Sequence, residues 1–280
     1  MIQFDNIGKS FGSNPVLRSV SLTVERGQSM VIIGGSGTGK SVLIKTVLGL
    51  ITPDTGKIFV DGQDVTKAKN DDFLSRFGML FQGGALFDSM PVWQNVAFRL
   101  QRGHLKRTKA EAREIAIEKL RRVGLGPDVA NLLPAELSGG MQKRVSLARA
   151  IATNPQIIFF DEPTTALDVT TQVEVLASMR LIVEKYNTAA IYITHDLAVV
   201  AQMADVIKVL RYGETVENAD TRTMLSNPEK EYTKSLWSVR SIEKEESISK
   251  DIVLKVDRVD AAYGGGVKVL DNVSIDIPRG

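Results

Sequence analysis

Residues 34–41 read Gly34-Gly35-Ser36-Gly37-Thr38-Gly39-Lys40-Ser41, a glycine-rich run closed by a lysine and a hydroxyl. Glycines at this spacing let backbone N–H groups turn inward around phosphate oxygens, where side chains with a Cβ would obstruct. Lys40 then offers a point charge to β- and γ-phosphates, and Ser41 a hydroxyl ligand for Mg²⁺. A second run, Ile157-Ile158-Phe159-Phe160-Asp161-Glu162, is an apolar strand ending in two acids. In that order Asp161 suits the Mg²⁺ side of a phosphoryl site and Glu162 the polariser of an attacking water. A third, Leu137-Ser138-Gly139-Gly140, opens a helix with a hydroxyl and exposed N–H groups, which makes a second anion site.

Such loops act together only if strands deliver them to one sheet edge. The apolar run 30–33 is the pattern of a strand covered on both faces, and it leads straight into the glycine loop. A helical stretch over 42–50 follows, which starts an α/β domain. Strands are expected at 2–7, 19–24, 29–33, 156–160, 189–194 and 206–210, with helices near 173–186 and 197–203, an alternation typical of a mostly parallel sheet. Thr108 and Glu111 form a capping box for a helix that places Ala112, Ala116, Leu120 and Val123 on one face, and Gly124 closes it. A second helix, from about 140 to 152, stops at Asn154-Pro155. Residues 84–155 are therefore expected to form a helical arm inserted into the α/β core.

Composition narrows the function classes. The 280 residues are 43% hydrophobic and 24% charged, which suits a globular chain with a proper core. No run of about 18 apolar residues is present, so the chain is not expected to span a membrane itself. Residues 1–5 lack the pattern of a secretory signal. There is no cysteine, which removes disulfides and thiolate metal sites. A net charge of +2 gives no global case for nucleic acid, and the basic stretch 104–109 reads as a solvated face. Only two histidines occur, His104 and His195, too few for a histidine cage. Residues 241–252 are polar and charged and read as a linker. Beyond it, Val256-Asp257, Tyr263-Gly264, Val269-Leu270, Val273-Ser274 and Arg279-Gly280 echo Phe4-Asp5, Phe11-Gly12, Val16-Leu17, Val20-Ser21 and Arg26-Gly27. This is an internal repeat. It covers the start of the pattern and stops before a second glycine loop.

The glycine loop, Gln82, Ser138-Gly139-Gly140, Asp161-Glu162, Ala166-Leu167-Asp168 and Thr194-His195-Asp196 occur in an order that resembles the ATPases of ATP-binding-cassette (ABC) transporters. The resemblance covers residues 1 to about 240, and it makes 253–280 the truncated start of a second cassette. It implies a P-loop NTPase fold of ABC ATPase type, with an N-terminal antiparallel β part, a mostly parallel core sheet and a helical arm. It also implies ATP and Mg²⁺ as cofactors. Phe11 would stack on adenine, and residues 34–41 would hold the phosphates. Gln82 would sense Mg²⁺ and the membrane partner, with Ser41 and Asp161 as the other metal-side groups. Ser138, Gly139 and Gly140 would bind the γ-phosphate held by an opposite cassette, and Asp168 would join the two sites. Glu162 and His195 would be catalytic. Met141 stands where the family commonly has Gln, a change expected to tune activity.

The implied partners are a second cassette, transmembrane permease subunits and a substrate-binding protein, at the cytoplasmic face of the cell membrane. Residues 78–90 and 137–149 resemble phospholipid-trafficking (Mce-associated) ABC ATPases. From 166 onward, with the tail Asn227-Pro228…Tyr232-Thr233, the chain resembles oligopeptide and dipeptide importer ATPases. The alternative class is a soluble ABC ATPase acting on nucleic acid or ribosomes. The stretch 87–96, which resembles a permease-docking surface, argues against it.

Overall fold

The computed structural model describes residues 1–35, 37–67, 71–238, 251–263 and 267–279. Ser36, residues 241–250 of the expected linker, and Gly264 and Gly280 of the repeat lie outside the described residues. The chain divides into two units, Met1–Trp237 and Ser238–Gly280.

The first unit opens with two long antiparallel strands, β1 (Ile2–Phe11) and β2 (Asn14–Val24), followed by β3 (Ser29–Ile33) and helix α1 (Lys40–Val47). Next come β4 (Thr55–Val60), β5 (Gln63–Asp64), α2 (Asp71–Ser75) and β6 (Phe77–Leu80). A helical stretch holds α3 (Val92–Val96), α4 (Lys109–Arg122) and α5 (Gly139–Ala150). The α/β alternation resumes with β7 (Ile157–Asp161), α6 (Val169–Tyr186), β8 (Ala189–Ile193), α7 (Leu197–Met203) and β9 (Val206–Arg211). The unit closes with β10 (Glu214–Asp220), α8 (Thr221–Ser226) and α9 (Glu231–Ser238). The second unit contains β11 (Ile252–Tyr263) and β12 (Val267–Pro278), paired antiparallel.

Two sheets carry the first unit. One is antiparallel, in the order β2-β1-β4-β5; the other has the order β10-β9-β3-β8-β7-β6. In the second, every pairing is parallel except that of β10 with β9. The period of two in a strand splits its apolar residues between two cores. Val31, Ile33, Ile158 and Phe160 pack with the helices, whereas Met30, Ile32, Ile157 and Phe159 pack with β1, β2 and α1. All five residues of β3 are buried, and so are the first four of β7. Each such large side chain contributes roughly 1.5–3 kcal/mol of transfer free energy, so a double-faced strand is a rigid support for the loop at its end.

The capping box of α4 forms as expected, with the Glu111 N–H donating to Thr108 Oγ1 at 3.3 Å and the Thr108 N–H donating to Glu111 Oε2 at 2.9 Å. Ala112, Ala116 and Leu120 are buried, and Gly124 has φ +74° just past the helix end. Two strands run further than the alternation suggests, because Asn6 (φ 51°) and Ser19 (φ 56°) adopt left-handed conformations that interrupt it. Strands β4, β5, β6 and β10 were not expected. β6 is four residues with a glycine, and β10 is a polar edge strand, so neither shows a clear period. α5 packs on β6 as well as on α3, α4 and α6, and so is shared between the helical stretch and the sheet.

Candidate nucleotide site

Strand register sets the site. Leu80 pairs with Phe160, Asp161 with Ile193, and Ile32 with Ile193. The residues that follow β3, β6, β7 and β8 therefore emerge at one carboxyl edge: the glycine loop from Gly34, Gln82, Glu162 and His195. Asp161 is the last residue of β7 at that edge. This is where open α/β sheets bind ligands.

The glycine loop is internally satisfied. Lys40 Nζ donates to the carbonyls of Gly34 and Gly35, each at 2.7 Å, and to Thr38 Oγ1 at 3.3 Å. The Gly35 N–H donates to the Tyr232 hydroxyl at 3.1 Å. Gly39, at φ +95°, precedes α1, and a Cβ there would lie 2.7 Å from the Val16 carbonyl oxygen. Only glycine allows this approach of the loop to β2. Burial holds the Lys40 ammonium below the ordinary lysine range, opposed by the charges of Glu162 and Asp161. Burial, then the Glu162 charge, push the Asp161 carboxyl above its usual range, opposed by Lys40 and Lys45.

Glu162 has φ 46°, a left-handed backbone that costs a non-glycine residue on the order of 1–3 kcal/mol. The Glu162 N–H donates to the Ile193 carbonyl at 2.9 Å, which helps to hold that conformation. Glu162 Oε1 lies 2.8 Å from Nδ1 of His195. A carboxylate oxygen only accepts, so in this contact Nδ1 carries the hydrogen. The Glu162 side chain is 16% exposed and that of His195 75% exposed, so the pair runs from the sheet edge into solvent.

Hard oxygen donors suit Mg²⁺, and Ser41, Gln82 and Asp161 are of that kind. The Asp161 carboxylate has no hydrogen-bond partner among the described residues, and its upward shift is what an added cation would reverse. The residues present fit the ion.

Phe11, Ser138, Gly140 and Asp168 come from elements other than β3, β6, β7 and β8. Ser138 caps α5, accepting from the Met141 N–H at 3.3 Å. A Cβ on Gly140 would lie 2.4 Å from Thr171 Cγ2, so glycine is required there by the packing of α5 on α6. No hydrogen bond joins 138–140 to the glycine loop among the described residues. Asp168 caps α6, accepting from the Thr171 N–H at 2.9 Å and the Thr171 hydroxyl at 2.7 Å, and these bonds hold its carboxyl below the usual range. Phe11, at the end of β1, is 50% exposed with Lys9 Nζ 5.6 Å from its ring centre. Gln82 is exposed in the turn after β6.

Motif spacing did not reveal three features. Ser146 Oγ donates to the Gly84 carbonyl at 2.9 Å, and Arg149 donates to the Gly84 and Ala85 carbonyls at 3.0 and 2.7 Å, so α5 grips the loop that follows Gln82. Lys143 is buried, its Nζ without a hydrogen-bond partner among the described residues; burial lowers it, opposed by the Glu162 charge. Tyr232 reaches the glycine loop from far along the chain.

The family described as ABC transporter matches residues 17–165. The probable ribonucleotide transport ATP-binding protein mkl of Mycobacterium tuberculosis (strain ATCC 25618 / H37Rv) is 37% identical over 231 residues, 81% of this chain and 64% of its own length. The glutamine transport ATP-binding protein GlnQ of Geobacillus stearothermophilus is 38% identical over 240 residues, 85% of this chain and 98% of that one. Among solved structures, the dimeric post-hydrolysis state of the ATP-binding cassette MJ0796 bound to ADP and Pi has a TM-score of 0.70 and 31% identity, covering 79% of this chain and 99% of that one. With the phosphate loop, the paired acids and this sheet order, the chain belongs to the ABC transporter ATP-binding family. Its fold is the P-loop α/β fold of ABC ATPase cassettes.

Proposed function

We propose that this chain binds and hydrolyses MgATP as one half of a two-cassette sandwich and so drives import through a separate permease. One observation carries the reading: the glycine loop, Gln82, Asp161, Glu162 and His195 share one sheet edge, with Glu162 bonded to His195 at 2.8 Å. Lys40 turns from its own loop to the β- and γ-phosphates, and Phe11 stacks on adenine. Ser41, Gln82 and Asp161 hold Mg²⁺, which when bound neutralises charge on the phosphate oxygens. Glu162 accepts a proton from water as its oxygen attacks the γ-phosphorus and ADP leaves, while His195 steadies Glu162 and the γ-phosphate. Ser138, Gly139 and Gly140 serve the opposite cassette's γ-phosphate, and Asp168 links the two sites. The dimeric cassette with ADP and Pi supports this arrangement.

No helix among the described residues is long and apolar enough to cross a membrane, and this reading gives the path across it to a separate permease. A groove of about 650 Å³ along β6, the turn after α1 and the end of α5, with Leu50, Phe81, Phe87, Phe98 and Arg102 in its wall, is where we place it, at the cytoplasmic face of the membrane. The motifs of residues 78–90 favour a lipid cargo, and those from 166 onward a peptide, delivered by a substrate-binding protein. Relatives carry names for ribonucleotide and glutamine transport. Residues 1–240 form one cassette in this reading, 241–252 a linker, and 253–280 the start of a second.

The test is Glu162→Gln. It should retain MgATP binding, lose on the order of 10²-fold or more in hydrolysis, and form dimers in light scattering when MgATP is added. Hydrolysis at the parent rate would sink the assignment. Co-purification of a permease identifies the cargo class.

A further inference from the structure

We infer that Tyr232 is a positioning residue for nucleotide binding, holding the Gly34–Gly35 peptide in the shape that receives phosphate; this rests on reading residues 34–41 as the phosphate loop. That peptide group is held at both ends. Its carbonyl, that of Gly34, accepts from Lys40 Nζ at 2.7 Å, and its N–H, that of Gly35, donates to Tyr232 Oη at 3.1 Å. An ammonium has three donors, and all three of Lys40 are engaged, by Gly34, Gly35 and Thr38. Lys40 must leave these groups to reach a phosphate. The Gly34 carbonyl then loses its partner, and the Tyr232 bond is what still fixes the plane. Two consecutive glycines offer no Cβ resistance to a flip, which would turn a carbonyl dipole toward an anion.

The hydroxyl is itself braced. The Arg211 guanidinium lies 4.5 Å from the Tyr232 ring centre. The turn leading into α9 is tied to β10, where the Glu217 carboxylate accepts from the Glu229 and Lys230 N–H groups at 2.8 and 3.2 Å. Further along α9, Trp237 Nε1 donates to the Met224 carbonyl at 2.7 Å. These anchors fix a half-buried tyrosine on a segment that otherwise supplies nothing to the site. They also give the tail motif Asn227-Pro228…Tyr232-Thr233 a physical task.

Tyr232→Phe keeps the ring on Arg211 and removes one hydroxyl. The probe is MgATP, in steady-state hydrolysis and in equilibrium binding on a Glu162→Gln background. KM and Kd should rise about three- to tenfold, the range of one neutral hydrogen bond, while kcat and the melting temperature of the unliganded chain stay unchanged. Trp237→Phe is the contrast: it breaks another bond of α9, and should lower the melting temperature with Kd unaltered. Equal Kd for parent and Tyr232→Phe overturns the inference. So does an equal Kd shift in Trp237→Phe, because a general loosening of α9 would then suffice. A parent chain that does not bind MgATP would instead refute the reading of the loop.

Discussion

In β1–β2 the left-handed residues are Asn6 and Ser19; in β11–β12 they are Arg258 and Asn272, at corresponding positions of the repeat. The bond that spans the bulge is also repeated, from the Asn6 N–H to Ser21 Oγ and from the Arg258 N–H to Ser274 Oγ, both at 2.9 Å. Burial is not repeated. Ile2, Ile7 and Leu22 are 0%, 0% and 6% exposed, whereas their counterparts Leu254, Val259 and Ile275 are 51%, 39% and 52% exposed. β1 pairs with β4 on its other side and packs over β3 and α1; among the described residues of the second unit there is no third strand. Hairpin shape is thus local, written in turn chemistry and bulges, while a core needs neighbours. A lone hairpin has marginal stability of its own.

The sharpest way to break this contrast is a matched pair of truncations. Ile7→Ala should cost about 2–5 kcal/mol in urea unfolding, and Val259→Ala, at the equivalent position, less than about 0.5. Equal costs would show that the second hairpin is covered after all. A middle-sized effect comes from Lys208. It lies on β9, on the face of Val206 and Leu210, which pack with the first hairpin's cluster, and it is only 4% exposed. Burial pushes its ammonium down to about 8 from 10.5. Because the folded value is the lower one, the unfolded chain binds the proton more tightly, so the penalty is full below about pH 8 and fades as pH rises toward 10.5. Lys208→Met should therefore stabilise the chain by on the order of 2–3 kcal/mol at pH 7, with the gain vanishing near pH 10.5. A gain independent of pH would mean that the lysine is not buried by the first hairpin. The smallest effect is expected from deleting residues 242–280, which should leave ATP turnover and the unfolding midpoint of the first unit unchanged. Loss of turnover in a folded truncation would make the second hairpin part of the first site.

The site was more legible in the sequence than its surroundings. β3, β7 and β8 are unbroken apolar runs that end in the glycine loop, Asp161-Glu162 and Thr194-His195, so strand and chemistry announce each other. β6 and β10 carry no such signal, being short or polar. The bulges at Asn6 and Ser19 erased the alternation that would have shown the full length of β1 and β2. The contacts of Tyr232, Ser146 and Arg149 were out of reach for another reason. They join residues distant along the chain, and one hydrogen bond between distant residues leaves no period or composition to read.

The grip of α5 on Gly84 and Ala85 has a thermodynamic consequence. One 12-residue helix carries Ser138 at its N-terminus and Ser146 and Arg149 near its other end, on the loop beside the apolar groove. A ligand at one end and a protein seated at the other would bear on the same helix. Linkage then requires symmetry: whatever factor the seated protein applies to the affinity of the ligand, the ligand returns to the protein. Measuring either half of that exchange determines the other.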